Sequence, residues 1–196
     1  SDGDYRYVRQ AEEAESYLID RNPDFGTETT DWLDTNLLDI SGDRVRQVSV
    51  THLDGETVLV TKTDTAQTNF SLDNIPEGRE LLYDSVANVT GNVLERLRFD
   101  DVAKADESED AILVEFLTFD GFSVTAHASE TDDQGWVRFT ADYEPVETTA
   151  GGEDGELRPD AETEAAELNQ RLADWSFQIP RFKYEQMTRR TEDLLQ

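Results

Sequence analysis

Apolar residues recur along the chain with two periods, near 2 and near 3.6, and their alternation predicts a mixed fold. Tyr5-Arg-Tyr-Val8 and Ser16-Tyr-Leu-Ile19 read as short strands around a polar turn from Gln10 to Glu15. Pro23 and Gly26 break the pattern. Thr30 is placed to cap a short helix in which Trp32, Leu33, Asn36, Leu37 and Ile40 share a face, and Ser41-Gly42-Asp43 stops it. Val45, Val48 and Val50 then lead to Asp54-Gly55 and on to Thr57-Val-Leu-Val-Thr61. An Asp-Gly pair between β-branched runs predicts a hairpin, because a tight turn needs residues that tolerate positive φ. A third strand is expected around Phe70 and Leu72, Pro76-Glu-Gly78 turns the chain, and Val86, Val89 and Val93 predict a helix over Ser85 to Leu97.

The same order then recurs. Ile112 to Phe119 is strand-like, Asp120-Gly121 is a turn, Phe122 to Ala128 is strand-like, and Trp136-Val-Arg-Phe139 opens a third strand running to Tyr143. An acidic, Gly-rich stretch follows. Ala165, Leu168, Leu172 and Trp175 then mark a second amphipathic helix, ended by Ile179-Pro180. Tyr184, Met187 and Leu194-Leu195 predict a last helix reaching Gln196. Asp54-Gly55 matches Asp120-Gly121 at an offset of 66 positions, and Leu94-x-x-Leu97-x-Phe99 matches Leu172-x-x-Trp175-x-Phe177 at 78. This self-similarity reads as a tandem β-β-β-α repeat.

The expected fold is therefore α+β. Two similar β-meander-plus-helix units, antiparallel sheets packed by helices, follow an N-terminal hairpin and short helix. The hairpin and helix take 1–42, the first unit 43–104 and the second 105–196, which includes an acidic loop at 144–160 and the C-terminal helix.

Charge changes the picture most. The chain carries 45 Asp and Glu against 17 Lys and Arg, a net charge of −28 over 196 residues. Only Lys62, Lys104 and Lys183 are lysines. Such a charge repels itself in dilute buffer, whereas at molar salt the Debye length falls to roughly 3 Å and the repulsion fades. An acidic, lysine-poor surface reads as adaptation to high salt. Disorder is the rival reading of high charge, and three Trp, six Tyr and nine Phe with clear periodicity stand against it. Nucleic acid is not an expected partner, since phosphate binding needs clustered Lys and Arg and the positives here are scattered through acid. No run approaches the ~18 apolar residues of a membrane span, and no signal peptide is present. The chain begins at Ser1 rather than methionine, so an upstream segment is expected to have been removed. With no cysteine, disulfides, zinc-thiolate sites and cysteine nucleophiles are excluded.

Several segments together resemble a bacterial family, the domain of unknown function numbered 4340. They are Trp32-Leu-Asp-Thr-Asn-Leu-Leu-Asp-Ile40 with Val45 to Gly55, Ile75-Pro-Glu-Gly78, Leu94-Glu-Arg-Leu-Arg-Phe-Asp-Asp-Val102 and Thr118-Phe-Asp-Gly121. The ending adds Trp175 to Pro180 and Arg189-Arg-Thr-Glu-Asp-Leu-Leu195, so that the likeness runs from Tyr5 almost to the end. No single motif is diagnostic; the order and spacing carry the resemblance. It implies an extracytoplasmic protein, attached to the inner membrane by an N-terminal anchor absent from this chain and associated with ABC transporters similar to the gliding-motility type. It implies that this chain is the C-terminal portion of a longer protein, and it supplies no catalytic residues. An acidified domain outside the membrane, facing external salt, fits a halophilic bacterium.

Candidate chemistry is sparse. His52 precedes the Asp54-Gly55 turn, and His127 alternates with Thr125 and Ser129. Neither has the short-spaced companions of a zinc site, and both read as structural or surface histidines rather than acid–base groups. Asp100-Asp101, Glu107 with Glu109-Asp110, and Asp132-Asp133 read as solvated surface, with no calcium-loop pattern among them. Ser1 is the end of the chain rather than an N-terminal nucleophile, and no G-x-S-x-G, S-x-x-K or P-loop occurs. Trp136, Phe139 and Tyr143 read as core before ligand platform. From Arg181 onward, Arg181, Lys183, Arg189 and Arg190 stand against Glu185, Glu192 and Asp193, giving net +1. These four cations are the candidate partner-docking residues; their alternative role is to pair with the acidic body while Phe182, Tyr184 and Met187 pack.

The expected function is non-catalytic, with no cofactor and no metal: an extracytoplasmic interaction module of an ABC-transporter-associated membrane protein, contacting the transporter's membrane subunits. A substrate-binding accessory is one alternative and predicts a concave pocket. A carboxylate-dependent hydrolase of envelope glycans is the other and predicts two acids across one cleft.

Overall fold

The computed structural model describes residues 6–9, 14–19, 32–105, 110–145 and 161–196. The chain divides into two compact units, Ser1–Asp34 and Thr35–Gln196. In the first, β1 (Arg6–Val8) and β2 (Tyr17–Ile19) form the expected antiparallel hairpin, with Tyr7 opposite Leu18.

The second unit opens with β3 (Asn36–Leu38), β4 (Val45–Thr51), β5 (Thr57–Thr61) and β6 (Ser71–Leu72). Next come α1 (Asn88–Gly91), β7 (Leu97–Arg98) and β8 (Asp101–Lys104). Then β9 (Ile112–Thr118), β10 (Phe122–Thr131) and β11 (Gln134–Tyr143) follow, and α2 (Ala161–Leu172), β12 (Trp175–Ile179), α3 (Arg181–Met187) and a 3₁₀ turn (Thr191–Leu194) close the chain. Eight strands form one antiparallel sheet in the order β6-β5-β4-β9-β10-β11-β12-β8, and β3 pairs separately with β7. The class is α+β.

The two meanders, β4-β5-β6 and β9-β10-β11, are present and lie in this single sheet, joined first strand to first strand through β4 and β9. Ser49 pairs with Glu115, its own counterpart at the 66-residue offset, so a local two-fold passes through the junction. Gly55 and Gly121 both hold positive φ, 89° and 84°, at the matching Asp-Gly turns, the conformation that favours glycine there.

Four helical expectations are corrected. The helix expected from Thr30 to Ile40 is not found over its described part, where Asn36–Leu38 is a strand. Leu37 and Leu38 are both buried, Leu38 pairs with Leu97, and the Ile40 N–H donates to the Leu94 carbonyl. Pairing with β7 thus outweighs a weak local period. The helix expected over Ser85–Leu97 shrinks to the single turn α1. Val86, Ala87, Thr90, Gly91, Val93 and Leu94 are all buried, which is burial on every side rather than one stripe. The Asn88 side chain also accepts from the Phe70 N–H and donates to Asn69, fastening that turn to the loop before β6. The last two helices end early. Trp175 opens strand β12, in which Phe177 and Ile179 point inward with period 2, and α3 stops at Met187. Beyond it Arg190 is extended, and its N–H donates to the Asp193 carboxylate at 2.9 Å to start the 3₁₀ turn.

The sheet is built asymmetrically. Val48, Val50, Val114, Phe116, Val124, Ala126, Val137 and Phe139 line one face of it and are almost fully buried. The helices pack on that side: α1 on β4, α2 on β10 and β11, and α3 on β11. Because β12 pairs with β11 only at Gly135–Val137, the outer edge of β11 is bare beyond that point. Asn169 of α2 takes it over, accepting from the Ala141 N–H at 2.8 Å and donating to the Ala141 carbonyl at 2.7 Å. The alternate residues point the other way. They are half-buried or exposed: Gln47, Ser49 and Thr51 on β4, Leu113, Glu115 and Leu117 on β9, and Thr125 and His127 on β10.

Candidate functional site: a pocket on the polar face of the sheet

β10 and β11 form a ten-residue hairpin whose register runs from Phe122 opposite Tyr143 to Thr131 opposite Gln134. Asp132 and Asp133 make its turn, both with positive φ, 52° and 61°. A two-residue hairpin turn wants left-handed residues, and Asp is among the few side chains that tolerate that conformation. This carboxylate pair is thereby accounted for as turn chemistry.

Along this hairpin, odd and even positions of β11 face opposite sides. Phe139 lies in the core and Tyr143 packs against it, while Trp136 and Arg138 stand on the other face. The aromatic trio grouped in the sequence is therefore split between the two faces. Across the ladder Trp136 faces Ser129, and Arg138 faces His127, pairs whose Cβ atoms lie about 5 Å apart. With β12 and β8 alongside, these side chains line a pocket of about 360 Å³. Ala103, Ala111 and Ser176 contribute small side chains to its wall, and Lys104, Gln134 and Asp132 complete it. Lys104 extends over the Trp175 ring, its Nζ 4.0 Å from the centroid. Burial and the facing Arg138 guanidinium push the His127 pKa below the ordinary histidine value. Trp175 and Lys104 are partners across the β8–β12 ladder on the side of Phe177 and Val102, so the Lys104 ammonium lies on the opposite face from Arg138 and His127.

The four docking candidates at the C-terminus lie elsewhere, and each is engaged within the chain. Arg181 donates to Glu185 at 2.9 Å and to the Asp133 carbonyl, and it pairs with Glu130 at 3.2 Å. Lys183 is half-buried, its Nζ donating to the carbonyls of Val93 at 2.8 Å and Glu95 at 2.9 Å, and burial lowers its pKa. Arg189 donates to the Asp193 carbonyl. Arg190 donates to Asp54 at 2.8 Å and to Glu56, beside the first Asp-Gly turn. His52 is buried at the same place; its Nε2 lies 3.3 Å from the Arg189 carbonyl, and its Nδ1 has no hydrogen-bond partner among the described residues.

These contacts predict acid-sensitive docking of the tail. The Thr191 N–H is the first cause holding the Glu56 pKa below the ordinary carboxylate value, with Arg190 adding to it. The Glu56 N–H, then Arg190, do the same for Asp54. Depressed folded-state values stabilise above the unfolded pKa, about 4, and that stabilisation is lost as pH falls through the lower folded values. Exchange of the Thr191 amide hydrogen is expected to accelerate relative to that of Val50 as pH drops from about 5 to about 3, after correction for intrinsic rates. A constant ratio between the two amides would exclude the linkage.

Among the remaining acids, Asp100, Asp101 and Asp110 are exposed, and Glu107 and Glu109 lie outside the described residues. Among the described residues no group of three or more His, Asp or Glu is placed to hold a metal ion. The pocket was missed in the sequence because its members come from four strands. The odd spacing of Trp136 from Phe139 was a usable signal, since on a strand it sends the two rings to opposite faces.

No curated protein and no solved structure matches the chain. Residues 116–196, which carry His127, Trp136 and Arg138, lie beyond the segment that a family model matches. That model, described as Domain of unknown function (DUF4340), covers residues 1–115, more than half of the chain, and the chain belongs to this family.

Proposed function

We propose that the chain is a non-catalytic recognition module of an extracytoplasmic protein, anchored in the inner membrane of a halophilic bacterium and acting beside an ABC transporter. The supporting observation is the one-sided construction of Thr35–Gln196. Among the described residues its helices pack on one face of the eight-stranded sheet, and the side chains of the other, polar and apolar, are half-buried or exposed. Antiparallel sheets tolerate such a solvated face, and its rigid side-chain ladder makes a recognition platform. The family resemblance supplies the setting, and the charge of −28 supplies the salt. The pocket on this face favours a second reading, a substrate-binding accessory delivering a small molecule to the transporter.

The test is an affinity capture from detergent-solubilised membranes of a halophilic bacterium at about 2 M salt, where self-repulsion is screened. The baits are the chain itself and Leu117→Glu, which places a charge in the middle of the polar face without touching the core. ABC-transporter membrane subunits are expected to be enriched by the first bait and lost with the second. Their absence from both, or equal recovery by a variant that retains the native circular dichroism, would overturn the reading.

A further inference from the structure

We infer that two copies of this chain pack face to face through the open side of the eight-stranded sheet, as the two layers of a sandwich. This rests on the recognition reading above and names the first partner of that face; the transporter then meets the pair.

The argument begins with where the acids stop. The chain carries 45 Asp and Glu against 17 Lys and Arg. Yet residues 47–51 of β4, 113–117 of β9, 123–129 of β10 and 136–140 of β11 include one carboxylate, Glu115. Ser, Thr and Gln make up most of the rest of the open face, with Leu113 and Leu117 on either side of Glu115. A large net charge keeps like molecules soluble and apart. A face that leaves the charge out gives up that protection, which suits a surface that is covered. The partner's own charge follows from the same pattern. A basic protein would be held best by carboxylates, which the chain has in excess elsewhere. Two chains of net −28 meet with least repulsion where those carboxylates are missing. Charge therefore selects a second copy as the occupant.

The packing agrees. The strands run in register across the junction, so that outward side chains stand in rows; Leu59, Ser49, Glu115 and Thr125 form one row. Short side chains flanked by leucines make a surface of low relief, and two such sheets stack about 10 Å apart with their side chains interleaved. Five strands, β5 to β11 through the junction, at about 4.8 Å spacing and about six residues each, offer roughly 500 Å² per copy. A pair buries about twice that, about the 1,000 Å² at which specific interfaces begin. An interface of this size gives a reversible dimer. Its strength is set by salt, because the acidic bodies around it repel until the Debye length falls from about 10 Å to about 3 Å.

The test is sedimentation equilibrium on the purified chain, from the lowest salt at which circular dichroism shows it folded up to about 2 M. A monomer–dimer equilibrium is expected, with Kd lower by at least about tenfold at the upper end. Leu117→Glu and Thr125→Glu each set a second acid beside Glu115, and each is expected to raise Kd by at least about tenfold in folded protein. The chain has no cysteine, so a nitroxide on Thr57→Cys, at the margin of the open face, reports on the geometry. Mixed with an unlabelled copy, it is expected to broaden the amide signals of β9 and β10 in that copy more than those of α2. A monomer at every salt, a dimer that weakens as salt rises, or unchanged dimerisation in both folded variants would overturn the inference. So would stronger broadening of α2. A chain that stays monomeric but captures transporter subunits sinks the pair and keeps the recognition reading; a dimer that captures none does the reverse.

Discussion

Replacing Arg44 with alanine is expected to destabilise the Thr35–Gln196 unit by about 3 kcal/mol, the scale on which one partner of a buried ion pair is lost. Arg44 stands just before β4, its side chain 9% exposed, and reaches three elements at once. Nε donates to both oxygens of Asp120, at 3.0 and 3.2 Å. The two terminal nitrogens grip Glu164 of α2 end-on, at 2.8 and 2.7 Å, while the guanidinium lies 4.8 Å from the Phe122 ring centroid. Burial disfavours its charge, but Glu164 and Asp120 more than offset this and hold its pKa above the ordinary arginine value. One side chain thereby ties the entry to β4, the β9–β10 turn and the start of α2. Its loss leaves two facing carboxylates in a chain already rich in acid. Asp120 and Glu164 are 38% and 32% exposed, so water and salt recover part of the loss, and the deficit is expected to shrink between about 0.1 and about 2 M salt. Arg44→Lys is expected to restore less than half, because an ammonium cannot fork to two carboxylates. Urea midpoints for the three proteins at both salts decide the matter. A deficit below about 1 kcal/mol would place this contact with ordinary surface pairs.

That cluster also shows what the sequence carried and what it did not. The Asp-Gly turns at 54–55 and 120–121 were legible, because positive φ at Gly55 and Gly121 is a local demand met by a local residue choice. The alternation in β4, β5, β9 and β10 was legible for the same reason: a sheet with one buried face writes period 2 into each strand. The junction of β4 with β9 was not, since nothing in Val45–Thr51 says that Ile112–Thr118 will lie beside it rather than in a separate sheet. The β-strands at Asn36–Leu38 and Trp175–Ile179 were read as helix because short apolar runs fit either period, and only their partners, β7 in one case and β11 with β8 in the other, decide.

The chemistry was harder still. With 45 acids in the chain, any arginine has a carboxylate near it in sequence, so the pairing of Arg44 with Asp120 and Glu164 left no signature. The pocket fared likewise: Ala103, His127, Arg138 and Ser176 are brought to one face by strand order. The C-terminal cations, in contrast, stood out by local charge, and their alternative role of pairing with the acidic body describes the contacts of Arg181 and Arg190.

Gly135→Ala is expected to cost about 3 kcal/mol, at the upper end of overpacking effects, and to do so by lifting α3 from the sheet. Gly135 lies in β11 between Glu130 and Ile179, and Tyr184 of α3 sits directly on it. A Cβ at this position would fall 2.3 Å from Tyr184 Cγ and 2.6 Å from its Cβ. A clash with a neighbour's Cβ is not relieved by turning a ring; the helix backbone has to move. Tyr184 is 5% exposed, and its helix holds Lys183 on the carbonyls of Val93 and Glu95 and carries the Gln186 carbonyl that accepts from Thr90. Displacement of α3 therefore disturbs α1 as well. Tyr184→Ala alone is expected to cost about 3 kcal/mol through the cavity it opens. The double variant removes the contacts with Cγ and the ring and leaves the one with Cβ, so the relief is partial, and its cost is expected to fall short of the sum by at least about 1 kcal/mol. The comparison separates two causes of the same loss. If Gly135 is needed for close approach, the cycle is coupled; if it is needed for the strand's own backbone, the two losses add, and the contact between β11 and α3 is not what selects glycine there.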